Sequence, residues 1–450
     1  MGFCERLAVR RPALLPTSLR RSAAVLIGSL CTASGHASAA DLPVKAPVDA
    51  APATVSERWN ATFASEVRYN SWESGRGFPT VAVPNPGHGT EVYTPFALRV
   101  VGRPTDDFKI DMIGRGGWVD ARQSTPGLTG EVSTTTDTQL NGTATYYGFA
   151  GIQPFVSLSA NLPTGKSALF GTAANARMDP DLVEISTFGE GYNVGPSVGF
   201  NLPVTSTFIL STAAGYTWRG NYTRDNSLSA LTPLTQVATA VEPSQVFTAT
   251  GSAAWQAGHF SSTLTTSVST ETTTSENGAP LYRAGDRYLA SVVLSYDWQS
   301  AGLTTLTAAG AHSNRNDVKM VNVPDLIKEI MNTNADVFRV GLQHLFPVGQ
   351  LTIGPMGTYL IREHNSYDPT TLQFVPEKQR YSAGLLSRYG VTDKLTLNAR
   401  AEYVWTFEHE NPAPGGQKFS ALLNAFIPGS AVPQVSSTGW QCAIGANASF

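Results

Sequence analysis

Three scarcities narrow this chain before any motif is considered. Cysteine is nearly absent, with only Cys4, Cys31 and Cys442 in 450 residues. The first two fall in a segment expected to be removed, so neither an internal disulfide nor a cysteine-based metal site is expected. Charge is thin as well: Asp, Glu, Lys and Arg make up 14% of the chain, against about a quarter in soluble domains. Long apolar runs are missing too. Beyond the first forty residues no stretch approaches the ~18 apolar residues that a membrane-spanning helix requires.

What is present begins with an export signal. Arg6, Arg10, Arg11, Arg20 and Arg21 form a basic start, Ala23 to Leu30 a short apolar core, and Ala37-Ser38-Ala39 a small-residue cleavage site. This pattern predicts that residues 1–39 are cleaved. Leu30 before Cys31 argues against a lipoprotein signal, and the residues after Arg21 do not carry a twin-arginine signal. The remaining chain holds 26 basic and 33 acidic residues, a net charge of −7, which argues against nucleic acid as a partner. Residues 40–56, rich in Ala and Pro, read as a flexible leader. From 57 to 450 no composition shift marks a boundary.

That long segment alternates with a period of two. Tyr288, Ala290, Val292, Leu294, Tyr296 and Trp298 share one parity, with Ser291, Ser295 and Asp297 on the other. Leu395, Leu397, Ala399, Ala401, Tyr403, Trp405 and Phe407 likewise alternate with Thr396, Asn398, Arg400 and Glu402. Successive strand side chains point to opposite faces, so each such segment is a strand with one apolar face. Strands are predicted at 59–71, 90–102, 108–120, 137–150, 155–163, 191–202, 206–221 and 244–256. Eight more follow at 259–271, 286–298, 302–313, 336–346, 351–362, 379–389, 394–408 and 437–450.

The connections alternate between short and long. Pro104-Thr105-Asp106-Asp107, Pro203-Val204-Thr205 and Pro347-Val348-Gly349-Gln350 are short; 72–89, 164–190, 222–243, 314–335 and 409–436 are long. Seven of the eight tryptophans lie on the apolar parity near strand ends, and only Trp72 does not. Indole rings favour the headgroup level of a bilayer, so two girdles are expected. The predicted fold class is all-β: an antiparallel up-and-down barrel of about sixteen strands in the bacterial outer membrane, with short periplasmic turns and long extracellular loops.

The last strand carries Trp440, Cys442, Ile444, Ala446, Ala448 and the terminal Phe450 on one parity. It resembles the C-terminal signature of bacterial outer-membrane proteins, which implies the barrel-assembly machinery as a partner. The leader AADLPVKAP looks like the mature start of many alphaproteobacterial outer-membrane proteins. NLPTGK at 161–166, Asp179-Pro180-Asp181 and the glycine-rich segment 191–202 are similar to the outer-membrane transporter family linked with phenol meta-pathway gene clusters. That likeness covers about sixty residues and implies passage of small, including aromatic, solutes; it transfers no catalytic residue.

With the apolar parity outward, the other parity lines the lumen. It carries Arg68, Arg99, Lys109, Arg115, Arg219, Arg339, Arg380, Arg388 and Arg400 against Glu66, Asp111, Asp297 and Glu402. A basic wall in a water-filled pore favours anions. The competing reading is structural, with pairs such as Glu66/Arg68 and Arg400/Glu402 satisfying only each other. The loop 164–190 follows the fifth strand, a placement that resembles the constriction loop of general porins. There Asp179, Asp181, Glu184 and Glu190 would face the basic wall; a solvated external loop is the alternative. Helical stripes are expected at 324–331 (Leu326, Ile327, Ile330, Met331) and at 418–427 (Phe419, Leu422, Leu423, Phe426, Ile427).

The expected function is a passive outer-membrane pore for small solutes, with small aromatic or anionic compounds as the candidates, lipid and solute as partners and a homo-oligomer left open. The rival readings are an outer-membrane hydrolase and a plugged structural barrel. His88, His259, His312, His344, His364 and His409 are the histidines outside the signal, and none has metal-ligand or His-x-Ser spacing. No enzyme activity, metal or cofactor is expected.

Overall fold

The structure, a computed structural model, describes residues 58–76, 82–125, 128–223, 240–320, 323–413, 417–420, 425–428 and 431–450. The predicted signal and leader lie outside these residues.

Sixteen strands close into one barrel. In chain order they are β1 (Trp59–Arg76), β2 (Ala82–Thr105), β3 (Phe108–Thr125) and β4 (Thr138–Tyr146). Next come β5 (Gln153–Leu162), β6 (Asn193–Pro203), β7 (Phe208–Arg219) and β8 (Val246–Ala257). The third quarter is β9 (Phe260–Glu271), β10 (Arg287–Asp297), β11 (Leu303–Ser313) and β12 (Val337–Val348). The last is β13 (Leu351–Arg362), β14 (Lys378–Thr392), β15 (Leu395–Glu408) and β16 (Val435–Ser449). Each pairs antiparallel with its chain neighbours, and β16 returns to β1 with Thr62 opposite Ser449 and Ser74 opposite Ser437. Closure leaves no unpaired edge, the condition for a sheet to cross lipid. None of the described helices is long and apolar enough to cross a membrane.

The alternation of side chains fixes which face meets lipid. Phe63, Val67, Phe96, Leu98, Val198, Leu342 and Leu385 are all exposed on the outer face. Outer-face aromatics collect at the two ends. Tyr403 contacts Trp405 and Trp440 at ring-centroid distances of 4.7 and 5.0 Å near the long-loop end. Tyr296 meets Trp298 at 4.3 Å and Trp255 meets Phe260 at 5.5 Å near the short turns. These are the two girdles. Trp72, the exception in parity, is buried inside at 7% exposure.

The structure departs from the sequence reading at the long-loop end. The ladder of β1 and β2 runs on to Arg76 and Ala82, so most of 72–89 is strand rather than loop. Beyond the lipid the outer face no longer has to be apolar, and the period-two signal fades although the backbone pairing continues. The expected helices at 324–331 and 418–427 are not helices. Leu326–Lys328 is a strand, and Gln417–Ser420 pairs with Ala425–Pro428 as a hairpin. In each case a short apolar run fits either period, and a neighbouring segment offers a ladder to join. Leu326–Lys328, Asp317–Lys319, Ala279–Arg283, Thr274–Glu276, Ala240–Glu242 and Tyr222–Thr223 form a six-stranded sheet built from three successive long connections.

Topology predicts where a protease can reach. Proteinase K, which cuts with little sequence preference, is expected on intact cells to cleave beside Phe426, 68% exposed, and Met331, 43% exposed. It should spare the turns at Pro104–Asp107 and Pro347–Gln350, which face the other compartment. Cleavage confined to those turns, mapped by mass spectrometry, would invert the topology.

Candidate functional site

The connection between β5 and β6 turns into the barrel. Its neck is held by Asp137, whose carboxylate accepts Gly165 N–H at 2.9 Å, Glu190 N–H at 2.7 Å and Asn161 Nδ2 at 2.6 Å. Its middle is held by Glu91, fully buried on β2. That carboxylate accepts Glu184 N–H at 3.0 Å, Ile185 N–H at 3.1 Å and Asn70 Nδ2 at 3.1 Å. A buried carboxyl group is tolerated where its oxygens accept hydrogen bonds in this way.

Between neck and tip the loop contributes an apolar core. Leu169, Ala176, Met178, Val183 and Phe188 pack with Trp72, Val119, Ala121 and Val132 from the inner face of β1–β3 and the strand Leu128–Thr135. The Trp72 indole donates to Met178 Sδ at 3.0 Å. A Cβ at Gly89 would lie 2.5 Å from Trp72 Nε1, so only glycine lets the indole seat there. The tip is bound by charge. Lys378, at the start of β14, pairs with Asp179 and with Asp181 at 2.9 Å, and Arg362 reaches Asp181 at 3.2 Å. In a sixteen-strand ring β13 stands diametrically across from β5, so the tip crosses the bore. Arg68 pairs with both Glu66 and Glu184.

The sequence-predicted lumen residues thus divide. Arg68, Arg99 and Arg219 are committed to carboxylates: Arg99 Nε donates to Asp111 at 2.9 Å, and Arg219 reaches Glu271 at 3.5 Å. Asp297 caps the β10–β11 turn by accepting Gln299 N–H at 2.8 Å. Lys109 is buried and Arg115 half-buried on the inner face of β3. Of the four loop acids, Asp179, Asp181 and Glu184 meet wall cations, while Glu190 binds the neck through its backbone. Arg388 lies on the inner parity of β14, opposite Thr352 and Asn398.

A different group gathers on β12–β16. Arg339, Arg380 and Arg400 come from three strands, and the first two lie within Coulombic reach of both Glu402 and Arg400. Arg400 Nε is 3.7 Å from Glu402 Oε1, and Arg380 Nη2 donates to Gln441 Oε1 at 2.9 Å. Three guanidiniums surround the Glu402 carboxylate, and Asp181 of the loop also lies within Coulombic reach of Arg380, which leaves the cluster net positive.

Asp137, Glu91, Arg362 and Lys378 escaped the sequence reading. Asp137, Arg362 and Lys378 lie at or beside a strand end and Glu91 within β2, all on the inner parity, in phase with Gln139, Leu360, Arg380 and Arg99 respectively. That phase is the signal that finds them.

Among the described residues the histidines do not assemble a hydrolytic site with a carboxylate and a hydroxyl. His312 Nδ1 meets Asp336 at 2.7 Å, and His409 reaches Glu377 at 3.5 Å. Thr304 Oγ1 meets His344 Nδ1 at 2.7 Å and accepts Trp298 Nε1 at 2.8 Å, tying the outer face together at the short-turn girdle. Among the described residues no group of three His, Cys, Asp or Glu is placed to hold a metal ion.

The closed ring, lipid-facing belt and paired girdles define an outer-membrane β-barrel. No family model matches the chain, and no curated protein sequence does. Solved structures similar to it include an outer-membrane channel from Pseudomonas putida F1, at 9% identity and TM-score 0.37, covering 90% of this chain and 100% of that one. A Pseudomonas aeruginosa FadL homologue is similar at 9% identity and TM-score 0.41, covering 87% and 90%. An anion-selective porin from Comamonas acidovorans is similar at 11% identity and TM-score 0.37, covering 87% and 100%.

Proposed function

We propose that the barrel is a passive pore for small anionic solutes, narrowed by the inward loop. The observation that carries this reading is the charge surplus at Arg339, Arg380, Arg400 and Glu402. Three of the four loop acids, Asp179, Asp181 and Glu184, pair with Lys378, Arg362 and Arg68, so Asp181, which also lies within Coulombic reach of Arg380, opposes the cluster only in part. A fixed positive cluster in a low-dielectric wall raises the local anion concentration.

In planar bilayers under a potassium chloride gradient, the reversal potential should report chloride ahead of potassium. The preference should be modest, because salt screens the cluster over roughly 8–10 Å. Replacing Arg339, Arg380 and Arg400 together by Ser removes three positive charges and should abolish or reverse it while the barrel stays folded, since lumen substitutions tune selectivity more than stability. A cation-selective wild-type pore would sink the reading.

A further inference from the structure

The inner wall is chemically split. Across eight consecutive strands, β4 to β11, the only Asp, Glu, Lys or Arg residues are Arg219, Glu271, Arg287 and Asp297, each at a strand end. The inner parity there is instead rich in hydroxyls. On β8–β10 it carries Thr250, Ser252, Thr265, Ser267 and Ser291, all partly exposed on a face turned away from lipid. None of these five side chains has a hydrogen-bond partner among the described residues, in contrast to Thr143 with Ser157 at 2.7 Å or Ser211 with Asn201 at 2.8 Å. Their donors and acceptors are therefore available to the lumen.

The register places this wall in line with the arginines. Ser252 is opposite Thr265, Thr265 opposite Ser291, Ser291 opposite Ala309, and Ala309 opposite Arg339. The same row continues through Leu360 to Arg380. Ala309 is small and exposed, so it leaves room between the hydroxyls and the guanidiniums. Two strand spacings separate Ser291 from Arg339, about 10 Å along the wall, and the arginine side chain spans much of that distance.

From this row we infer that the pore selects polyhydroxylated carboxylates, the sugar-acid class, with the carboxylate on Arg339 and Arg380 and the hydroxyls on Ser291, Thr265 and Ser252. This deepens the anion-pore reading and rests on it. A carboxylate gains charge-assisted bonds from the guanidiniums. A sugar hydroxyl can replace wall-bound water bond for bond, at little net cost. An aromatic ring displaces the same water and leaves the wall hydroxyls unpaired, which is unfavourable.

The test compares two monovalent anions that remain ionised at neutral pH, gluconate and benzenesulfonate, by bi-ionic reversal potentials against chloride. The expected result is a gluconate permeability several times that of benzenesulfonate, although gluconate is no smaller. In the Ser252→Ala/Thr265→Val/Ser291→Ala variant the ratio should fall to about one or below, with the chloride-to-potassium ratio unchanged. Ser291→Ala alone, the smallest perturbation of the wall, should lower the ratio part-way and serves where the triple variant does not fold. Benzenesulfonate equal to or ahead of gluconate in the wild type would overturn the inference, as would a ratio indifferent to the wall variants. Cation selectivity in potassium chloride would instead overturn the anion-pore reading beneath it, a separate and separately measured failure.

Discussion

Replacing Lys378 and Arg362 together by Met is expected to raise single-channel conductance at least twofold and to make the current flicker. These two cations hold Asp179 and Asp181 across the bore, and the Asp181 side chain is 1% exposed. Without them the buried Asp181 carboxylate loses its ion pairs with Lys378 and Arg362 and keeps the more distant Arg380, while Asp179, a third exposed, loses its tether to Lys378. Breaking a buried pair from one side costs about 3–5 kcal/mol. The loop can escape that cost by swinging its tip toward water while Asp137 and Glu91 hold the neck and middle. Current then flows through a wider bore. Adding Asp179→Asn and Asp181→Asn removes the stranded charges as well. Stability in urea should then recover most of the loss, because deleting both members of a buried pair is often nearly neutral. Conductance should stay between the two extremes, the tip being untethered but no longer expelled. Wild-type conductance in the Met variant would show that the loop does not limit the current.

This loop also marks where the sequence stops being informative. Within the bilayer every strand is read from parity, because lipid on one side and water on the other force apolar and polar residues to alternate. All sixteen barrel strands overlap their predicted ranges, and β13 has the same limits, 351–362. Outside the bilayer that constraint lapses. The β1 ladder continues to Arg76 with a shifted register, yet no period-two pattern in the sequence announces it. The stripe of Leu326, Ile327, Ile330 and Met331 fits a helix as well as a strand, and a pairing partner in another segment decides between them.

Long-range charge partners are hidden for another reason. Asp181 and Lys378 are 197 positions apart, and no local pattern records that they meet. Parity shows that Lys378 faces inward. It does not show that an inward-folded loop reaches it. For the same cause the lumen arginines look equivalent in the sequence, whereas in the fold Arg99 is spent on Asp111 and Arg339 shares one carboxylate with two other guanidiniums.

Replacing Phe450 by Asp is expected to abolish assembly in cells while leaving the purified chain able to fold in detergent. The two outcomes separate because the residue contributes little to the finished barrel. Its backbone exchanges hydrogen bonds with Ala61, donating at 2.8 Å and accepting at 3.3 Å, and Asp keeps both. Its ring is 66% exposed at the rim of the lipid belt, where even a cationic substitution costs only ~0–1 kcal/mol and acidic ones less. Thermodynamics alone therefore predicts a stable barrel. What Asp removes is the terminal aromatic of the apolar parity formed by Trp440, Cys442, Ile444, Ala446 and Ala448, the feature proposed to be read by the assembly machinery. Heat-modifiable mobility on gels scores both arms, on outer membranes from cells and on protein refolded into detergent micelles. Failure in both would mean that Phe450 is needed for folding itself. Normal barrels in both would remove the terminal aromatic as an assembly signal in this chain. Only loss in cells with folding in detergent supports recognition, because the same ladder must close in both arms and the assembly machinery acts only in cells.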